Sequence, residues 1–235
     1  MNVLLAPYAG RVWRLVEAQH VVATLRLVDS LEEQTVLEDI LERAKPAVPK
    51  DCQHLHYLMA APFRYGLYPD DSRFRRKGLT PGVFYAAEKA LTAAMETVWY
   101  RLQFFAAAPE AELPERAAEY TGFAVDVAAE AVDLMDGPLA VERAKWTDPN
   151  DYTACLELAE QARDAGAGAI RYQSVRDPDG RANLAVLVCA AFAAPEPVAR
   201  ESWRIMLKPG GAVVLREWPK AAWEVRLAEG RLVWG

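Results

Sequence analysis

The order of apolar and polar positions along the chain predicts helices and strands in mixed succession. Period-two alternation and short apolar runs predict strands at 11–16, 82–87, 122–129, 169–174 and 183–192, and a meander of two or three antiparallel strands after 210. Helical periodicity predicts helices at 30–44, 51–61, 88–108 and 148–166. The elements do not follow a regular βαβ alternation, so we expect an α+β fold with mixed or antiparallel sheets and flanking helices.

Local signals predict where several of these elements begin and end. Ser30 followed by Glu33 forms a capping-box pattern at the start of one helix, and Pro62 is expected to stop the helix at 51–61. The stretches 62–82 and 106–119 carry turn residues and are predicted to be connections. Neither a repeat nor a linker interrupts the chain, so we expect one domain over residues 1–235.

Charge and cysteine content narrow the classes of function. The formal net charge of −6 disfavours a general nucleic-acid binder, yet four basic residues fall within 73–77. No apolar run reaches the length of a membrane span, and the first residues lack the charged region of a signal peptide. Three widely spaced cysteines suggest neither a disulfide framework nor a zinc site, so we expect no metal and a cytoplasmic protein.

Five features do not fit a purely structural pattern. Arg14 interrupts an apolar strand, the basic run 73–77 precedes the strand that contains Tyr85, and Ser174 lies between a strand and a turn. Glu96 is the one acidic residue between Lys89 and Pro109, within a strongly apolar helix. Each has an ordinary explanation as well: an edge arginine paired with a carboxylate, a solvated loop, a core tyrosine, a turn serine, and a glutamate at a helix edge.

Taken together, these features point to a cleft that binds a nucleotide. Arginines bind phosphate through paired hydrogen bonds, a tyrosine offers a flat face to an aromatic ring, and a carboxylate stabilises positive charge on a sugar. Two non-catalytic alternatives remain open at this stage: a nucleotide- or phosphate-binding module, and a protein-interaction module whose basic loop binds an acidic partner.

The order of these motifs resembles the RES-domain family, toxins of bacterial toxin–antitoxin pairs whose antitoxins are of Xre type. The resemblance rests on "VWRLV" near the start, on residues 62–104 with "SRFRRKGLTPGVFYAAE", and on "AGAGAIRYQSVRDPDGRANLAVL". It covers the core at 11–192, and segments near 17–60 and 195–235 are additions for a protein target, antitoxin docking or packing. The resemblance implies a fold like that of ADP-ribosyltransferase toxins, with NAD as the substrate.

The resemblance also implies roles for particular residues. Arg14 and Arg73 would grip the NAD pyrophosphate, with Ser174 adding a hydrogen bond nearby. The register of the second arginine is open, because Arg75 or Arg76 could take the place of Arg73.

Three further positions complete the implied NAD site. Tyr85 would lie against the nicotinamide, and Glu96 would bind the nicotinamide ribose and stabilise its developing charge. Asn183 matches a polar position of the family at the start of the next strand. Glu96, Tyr85 and Ser174 are therefore the expected catalytic residues, and the acceptor of ADP-ribose is left open between a protein side chain, water and phosphate. The implied partners are an Xre-type antitoxin and a possible protein target, without direct contact to nucleic acid or membrane.

Overall fold

The protein is described here by a computed structural model that covers residues 3–18, 28–65, 67–108 and 110–235. Five α-helices and nine strands make up this part of the chain. The helices are α1 Leu31–Ala44, α2 Tyr57–Arg64, α3 Ala90–Ala107, α4 Arg143–Trp146 and α5 Thr153–Asp164. The strands are β1 Ala6–Glu17, β2 Phe84–Ala87, β3 Ala118–Asp133, β4 Ala169–Gln173, β5 Ala182–Val186, β6 Ala199–Lys208, β7 Gly211–Arg216, β8 Ala221–Ala228 and β9 Arg231–Trp234.

The strands form one mixed sheet, and the expected α+β class is confirmed. The order is β1-β2-β5-β4-β3-β6-β7-β8-β9, and β1 also pairs with β3. The first five strands in this order therefore close into a ring, in which only β3 and β4 run parallel. Strand β3 pairs with β4 through residues 131–133 and with β6 through residues 118–124, so it belongs both to the ring and to the rest of the sheet. The strands β6 to β9 continue as an antiparallel meander.

Helix α3 links the ring to the meander. Its apolar face, which includes Ala94, Met95 and Val98, packs in one cluster with Trp203 and Ile205 of β6 and with residues of β7, β8 and β9. A helix that is apolar on most of its surface is expected to be central, and α3 is. The segment at 195–235 thus serves at least for packing, because it covers the helix that carries Glu96.

Three expectations about local structure are corrected. Helix α2 continues through Pro62 to Arg64, because its apolar face with Met59 and Phe63 is buried and outweighs the one hydrogen bond that the proline cannot donate. It also begins later than expected, at Tyr57, after a short 3₁₀ turn and with His56 as its N-cap. Strand β6 was not predicted, although alternate residues from Trp203 to Leu207 are buried.

The cysteines provide a further correction. Cys52, in the 3₁₀ turn Lys50–Cys52, forms a disulfide with Cys189, which follows β5 and lies 137 positions away. The expectation that the cysteines form no disulfide is wrong for this pair, and the argument from cysteine usage for a reducing compartment no longer holds. Cys155 is a buried free thiol. Among the described residues, the helices are all too short or too polar to cross a membrane.

Candidate active site

A cavity of about 310 Å³ opens where β1, β2 and β5 meet α3 and the loops at 72–73 and 175–176. Aromatic and charged side chains dominate its lining. The aromatic residues are Trp13, Tyr85, Tyr100, Tyr152 and Tyr172, and the charged residues are Arg14, Arg73, Glu96 and Arg176. Three arginines face one carboxylate, so the cavity is positive although the protein is acidic overall.

Glu96 is presented to the cavity by the middle of α3. The hydroxyl of Ser174 donates to Oε1 of Glu96 at 2.6 Å, and Nδ2 of Asn183 donates to the same oxygen at 2.7 Å. Burial raises the pKa of the Glu96 carboxyl above its ordinary value, and these two hydrogen bonds and the charges of Arg176 and Arg73 oppose that rise. Within the described chain, Oε2 receives no side-chain donor, so it is the oxygen left for a ligand.

Ser174 lies behind the carboxylate and does not line the cavity. It is 1% exposed, and its oxygen accepts hydrogen bonds from the backbone N–H groups of Arg176 and Asp177. These two bonds direct the hydroxyl hydrogen toward Glu96. Asp177 in turn accepts a hydrogen bond from Thr92 of α3, which ties the loop to the helix that carries Glu96. Ser174, expected to add a hydrogen bond near the pyrophosphate, instead donates to Glu96.

Asn183 reaches Glu96 from β5. It is opposite Ala87 of β2 and Tyr172 of β4 in the strand register, so the sheet holds it on both sides. The pairing of β5 with these two strands explains why a residue 87 positions from Glu96 can contact it. Asn183, expected at the NAD site, lies in the lining of the cavity.

Arg14 extends from β1 into the cavity without a carboxylate partner among the described residues. Its guanidinium donates to the carbonyl oxygen of Tyr85 at 3.4 Å and lies over the ring of Phe84, 5.1 Å from the ring centre. Burial lowers the pKa of Arg14. Since β1 pairs with β2 on one side and β3 on the other, the edge-strand explanation of this arginine is excluded.

Arg73 is the one member of the basic run that lines the cavity. It donates to the carbonyl oxygens of Trp146 at 2.7 Å and Asp148 at 2.9 Å, and it stacks over the ring of Tyr152. These contacts fix its guanidinium and take up part of its donor capacity.

The other two arginines of the run are held elsewhere. Arg75 stacks on Tyr68, with 3.8 Å between the guanidinium carbon and the ring centre. Arg76 pairs with Glu160 at 2.6 Å. The geometry therefore favours Arg73 in the register that the sequence left open.

Tyr85 connects the basic loop to the sheet. Its hydroxyl lies 2.9 Å from Oγ of Ser72 and accepts a hydrogen bond from the backbone N–H of Phe74. Burial raises the pKa of Tyr85, so its hydroxyl stays protonated at neutral pH. Tyr85 and Arg73 both line the cavity, so the hydrogen bonds of Tyr85 to the loop connect the loop to the cavity wall.

A comparison with protein-family models gives a match to the RES domain over residues 48–208. The chain belongs to the RES-domain family. Within that span lie Arg73, Tyr85, Glu96, Ser174 and Asn183, all of which are brought to the cavity or directly behind it.

A chain of the crystal structure of the M. tuberculosis MbcT–MbcA toxin–antitoxin complex is similar to this RES protein, at 15% identity and a TM-score of 0.48. The similarity covers 83% of this chain and 85% of that chain. A comparison with curated proteins gives no match.

Sequence reasoning missed several cavity residues of this RES protein. Arg176 stacks over Trp99 at 4.0 Å and donates to the carbonyl oxygen of Pro149, so its guanidinium is fixed beside Glu96. Its position two residues after Ser174 could have identified Arg176 as a cavity residue. Tyr100 follows Glu96 by one helical turn and lines the cavity, although it is largely exposed. That i, i+4 spacing was the signal for Tyr100.

Proposed function

We propose that this protein is an NAD-consuming toxin of a bacterial toxin–antitoxin system, which cleaves the bond between nicotinamide and ribose. Membership of the RES-domain family supports the toxin class. The observation that carries the chemistry is the position of Glu96, a partly buried carboxylate held by two side-chain donors in a cavity with three arginines. The second oxygen of this carboxylate is left to face substrate.

The proposed mechanism is electrostatic. As the C1′–N bond breaks, the electron pair leaves with the nicotinamide nitrogen and positive charge develops on the ribose. The carboxylate of Glu96 is already oriented by Ser174 and Asn183, so it stabilises this charge without reorganisation during the reaction. An acceptor with a lone pair then attacks C1′ and loses its proton.

The arginines are assigned to the pyrophosphate. Arg14 has no carboxylate partner in the described chain, and Arg176 and Arg73 are held by carbonyl oxygens and aromatic rings, so all three keep their charge available to an anion. Tyr85 and the neighbouring tyrosines provide aromatic surface for the nicotinamide ring. In this proposal Ser174 acts through Glu96 and not through phosphate.

The identity of the ADP-ribose acceptor determines which type of enzyme this is. Transfer to a protein side chain makes the enzyme a mono-ADP-ribosyltransferase, whereas transfer to water or phosphate makes it an NAD hydrolase or phosphorylase. The partner proposed for control is an Xre-type antitoxin, and co-expression with the neighbouring reading frame should relieve any growth arrest caused by the protein alone.

The test is incubation of the purified protein with NAD, followed by mass spectrometry of the products. We expect free nicotinamide together with ADP-ribose, ADP-ribose phosphate or a modified protein, depending on whether phosphate or cell lysate is present. The Glu96→Gln variant serves as the control for contaminating activity. NAD binding without nicotinamide release under all three conditions would instead indicate a nucleotide-binding module.

A further inference from the structure

In the side-chain amide of Asn183, the nitrogen has a hydrogen-bond partner and the oxygen has none. Nδ2 donates to Oε1 of Glu96 at 2.7 Å, whereas Oδ1 is buried and accepts no hydrogen bond. Asn183 is 2% exposed and lines the cavity. Among the cavity-lining residues that the structure describes, it alone carries a buried side-chain acceptor without a donor.

The orientation of this amide follows from its neighbour. A carboxylate only accepts hydrogen bonds, so the nitrogen of the amide must face Glu96 and the oxygen must face the other way. The reversed orientation would bring two acceptors together. A buried acceptor left without a donor costs free energy, and native proteins rarely keep one unless it serves a ligand, a bound water or strain.

We propose that Oδ1 of Asn183 accepts a hydrogen bond from the bound substrate and thereby selects it. This inference rests on the proposed function. Because Oδ1 and the nitrogen that binds Glu96 belong to one amide, the donor must lie in the same part of the substrate as the group on Glu96. In NAD two donors meet that condition: the carboxamide N–H of nicotinamide and a hydroxyl of its ribose. Asn183 is then a residue that determines specificity as well as one that positions Glu96.

The test compares four substrates with the purified full chain. They are NAD, deamido-NAD, which has a carboxylate in place of the carboxamide, and NAD analogues that lack the 2′- or 3′-hydroxyl of the nicotinamide ribose. We expect the wild type to favour NAD in kcat/KM by about tenfold or more over whichever analogue lacks the matching donor. A preference over deamido-NAD assigns the carboxamide, and one over a deoxy analogue assigns the ribose. Equal use of all the substrates overturns the proposal without any variant.

Ser174→Ala is the matched control for Asn183→Ala. Both substitutions remove one donor from the same oxygen of Glu96, so both should slow cleavage of NAD. Only Asn183→Ala also removes the unpartnered acceptor. We expect Asn183→Ala to lose most of the preference that the wild type shows, and Ser174→Ala to keep it. Since intrinsic differences in reactivity between analogues are shared by all variants, the change in the ratio reports Asn183. Retention of the full preference by Asn183→Ala, or its equal loss in both variants, overturns the proposal.

The same experiment separates this inference from the proposed function. If the wild type binds NAD but releases no nicotinamide, the proposed function fails. The preference for NAD over its analogues is then measured as a ratio of dissociation constants. Asn183→Ala should again lose this preference and Ser174→Ala should keep it. If NAD does not bind at all, both proposals are overturned.

Discussion

Glu96 and the three cavity arginines are supported in different ways, although they line the same cavity. Glu96, Ser174 and Asn183, which we call the carboxylate cluster, are joined by two short hydrogen bonds between side chains. Arg14, Arg73 and Arg176, which we call the arginine set, are held by backbone carbonyl oxygens and aromatic rings. The carboxylate has fixed geometry, whereas the arginines keep uncompensated charge.

This difference indicates what each part is prepared for. A charge that develops during a reaction is stabilised best by groups that are already oriented, which suits the carboxylate cluster. A charge that is present before the reaction is bound best by cations that no carboxylate has neutralised, which suits the arginine set. If the two parts separate into catalysis and binding, substitutions in the carboxylate cluster should slow the reaction and substitutions in the arginine set should weaken binding.

The largest effect is expected for Glu96→Gln. The amide oxygen of glutamine can still accept from Ser174 and Asn183, so the geometry is kept while the negative charge is lost. We expect nicotinamide release to fall by about 10²- to 10³-fold, with little change in the dissociation constant for NAD. Glu160→Gln, at an exposed carboxylate outside the cavity, should keep wild-type rates. A parallel loss of NAD affinity in Glu96→Gln would contradict the division of roles.

The next largest effect is expected for Arg14→Ala. We expect NAD binding to weaken by about 10- to 100-fold, because a charge-assisted contact to phosphate is lost. The affinity is best measured in the Glu96→Gln background, where turnover does not interfere. Arg76→Ala is the control from the basic run, since Arg76 pairs with Glu160 and does not line the cavity. The assignment fails if both variants weaken binding equally.

The residues of the carboxylate cluster could be identified from the sequence, but the hydrogen bonds between them could not. Glu96 stands out because it is the one acid in an apolar helix, and Asn183 came from the family motif. Their hydrogen bond joins positions 87 apart, and it depends on how β5 and α3 pack, which no local pattern encodes. The preference for Arg73 over Arg75 and Arg76 likewise depends on long-range contacts, with the carbonyl oxygens of residues 146 and 148.

Elements with strong local patterns were predicted well, and long-range pairings were not. Ser30 caps α1 by accepting from the N–H of Glu33, as the capping-box pattern predicted. The disulfide between Cys52 and Cys189 was missed because spacing carries no information about a pairing 137 residues apart. Arg176 was missed because it lies in a turn, where an arginine is ordinary in the absence of a known cavity.

A smaller effect, on stability, should distinguish two members of the arginine set. Arg73→Ala removes hydrogen bonds to the carbonyl oxygens of Trp146 and Asp148 and the stacking on Tyr152, and we expect a loss of about 2–3 kcal/mol in the free energy of unfolding. Arg14→Met removes a buried charge that has one long hydrogen bond, so stability should be unchanged or raised. Urea unfolding measures both. Equal losses would mean that Arg14 is a structural residue like Arg73.

The smallest effect concerns the pH dependence of stability at Glu96. Burial raises the pKa of this carboxyl in the folded state, so the fold holds a proton that the unfolded chain releases. The stability contributed by Glu96 should therefore be fully present below the ordinary pKa of glutamate, and it should decrease as pH rises through the raised value.

Glu96→Gln cannot ionise, so it isolates this contribution. The free energy of unfolding of the variant minus that of the wild type should increase from acid to neutral pH and then level off. Urea unfolding of both proteins across that range measures the difference. The nicotinamide-release rate of the wild type should increase over the same interval, because only the ionised carboxylate stabilises the ribose cation. A difference in stability that does not change with pH would mean that Ser174, Asn183 and the arginines fully offset the burial of this carboxylate. The carboxylate cluster would then be a stable ion site and not one that keeps a charge at a cost to the fold.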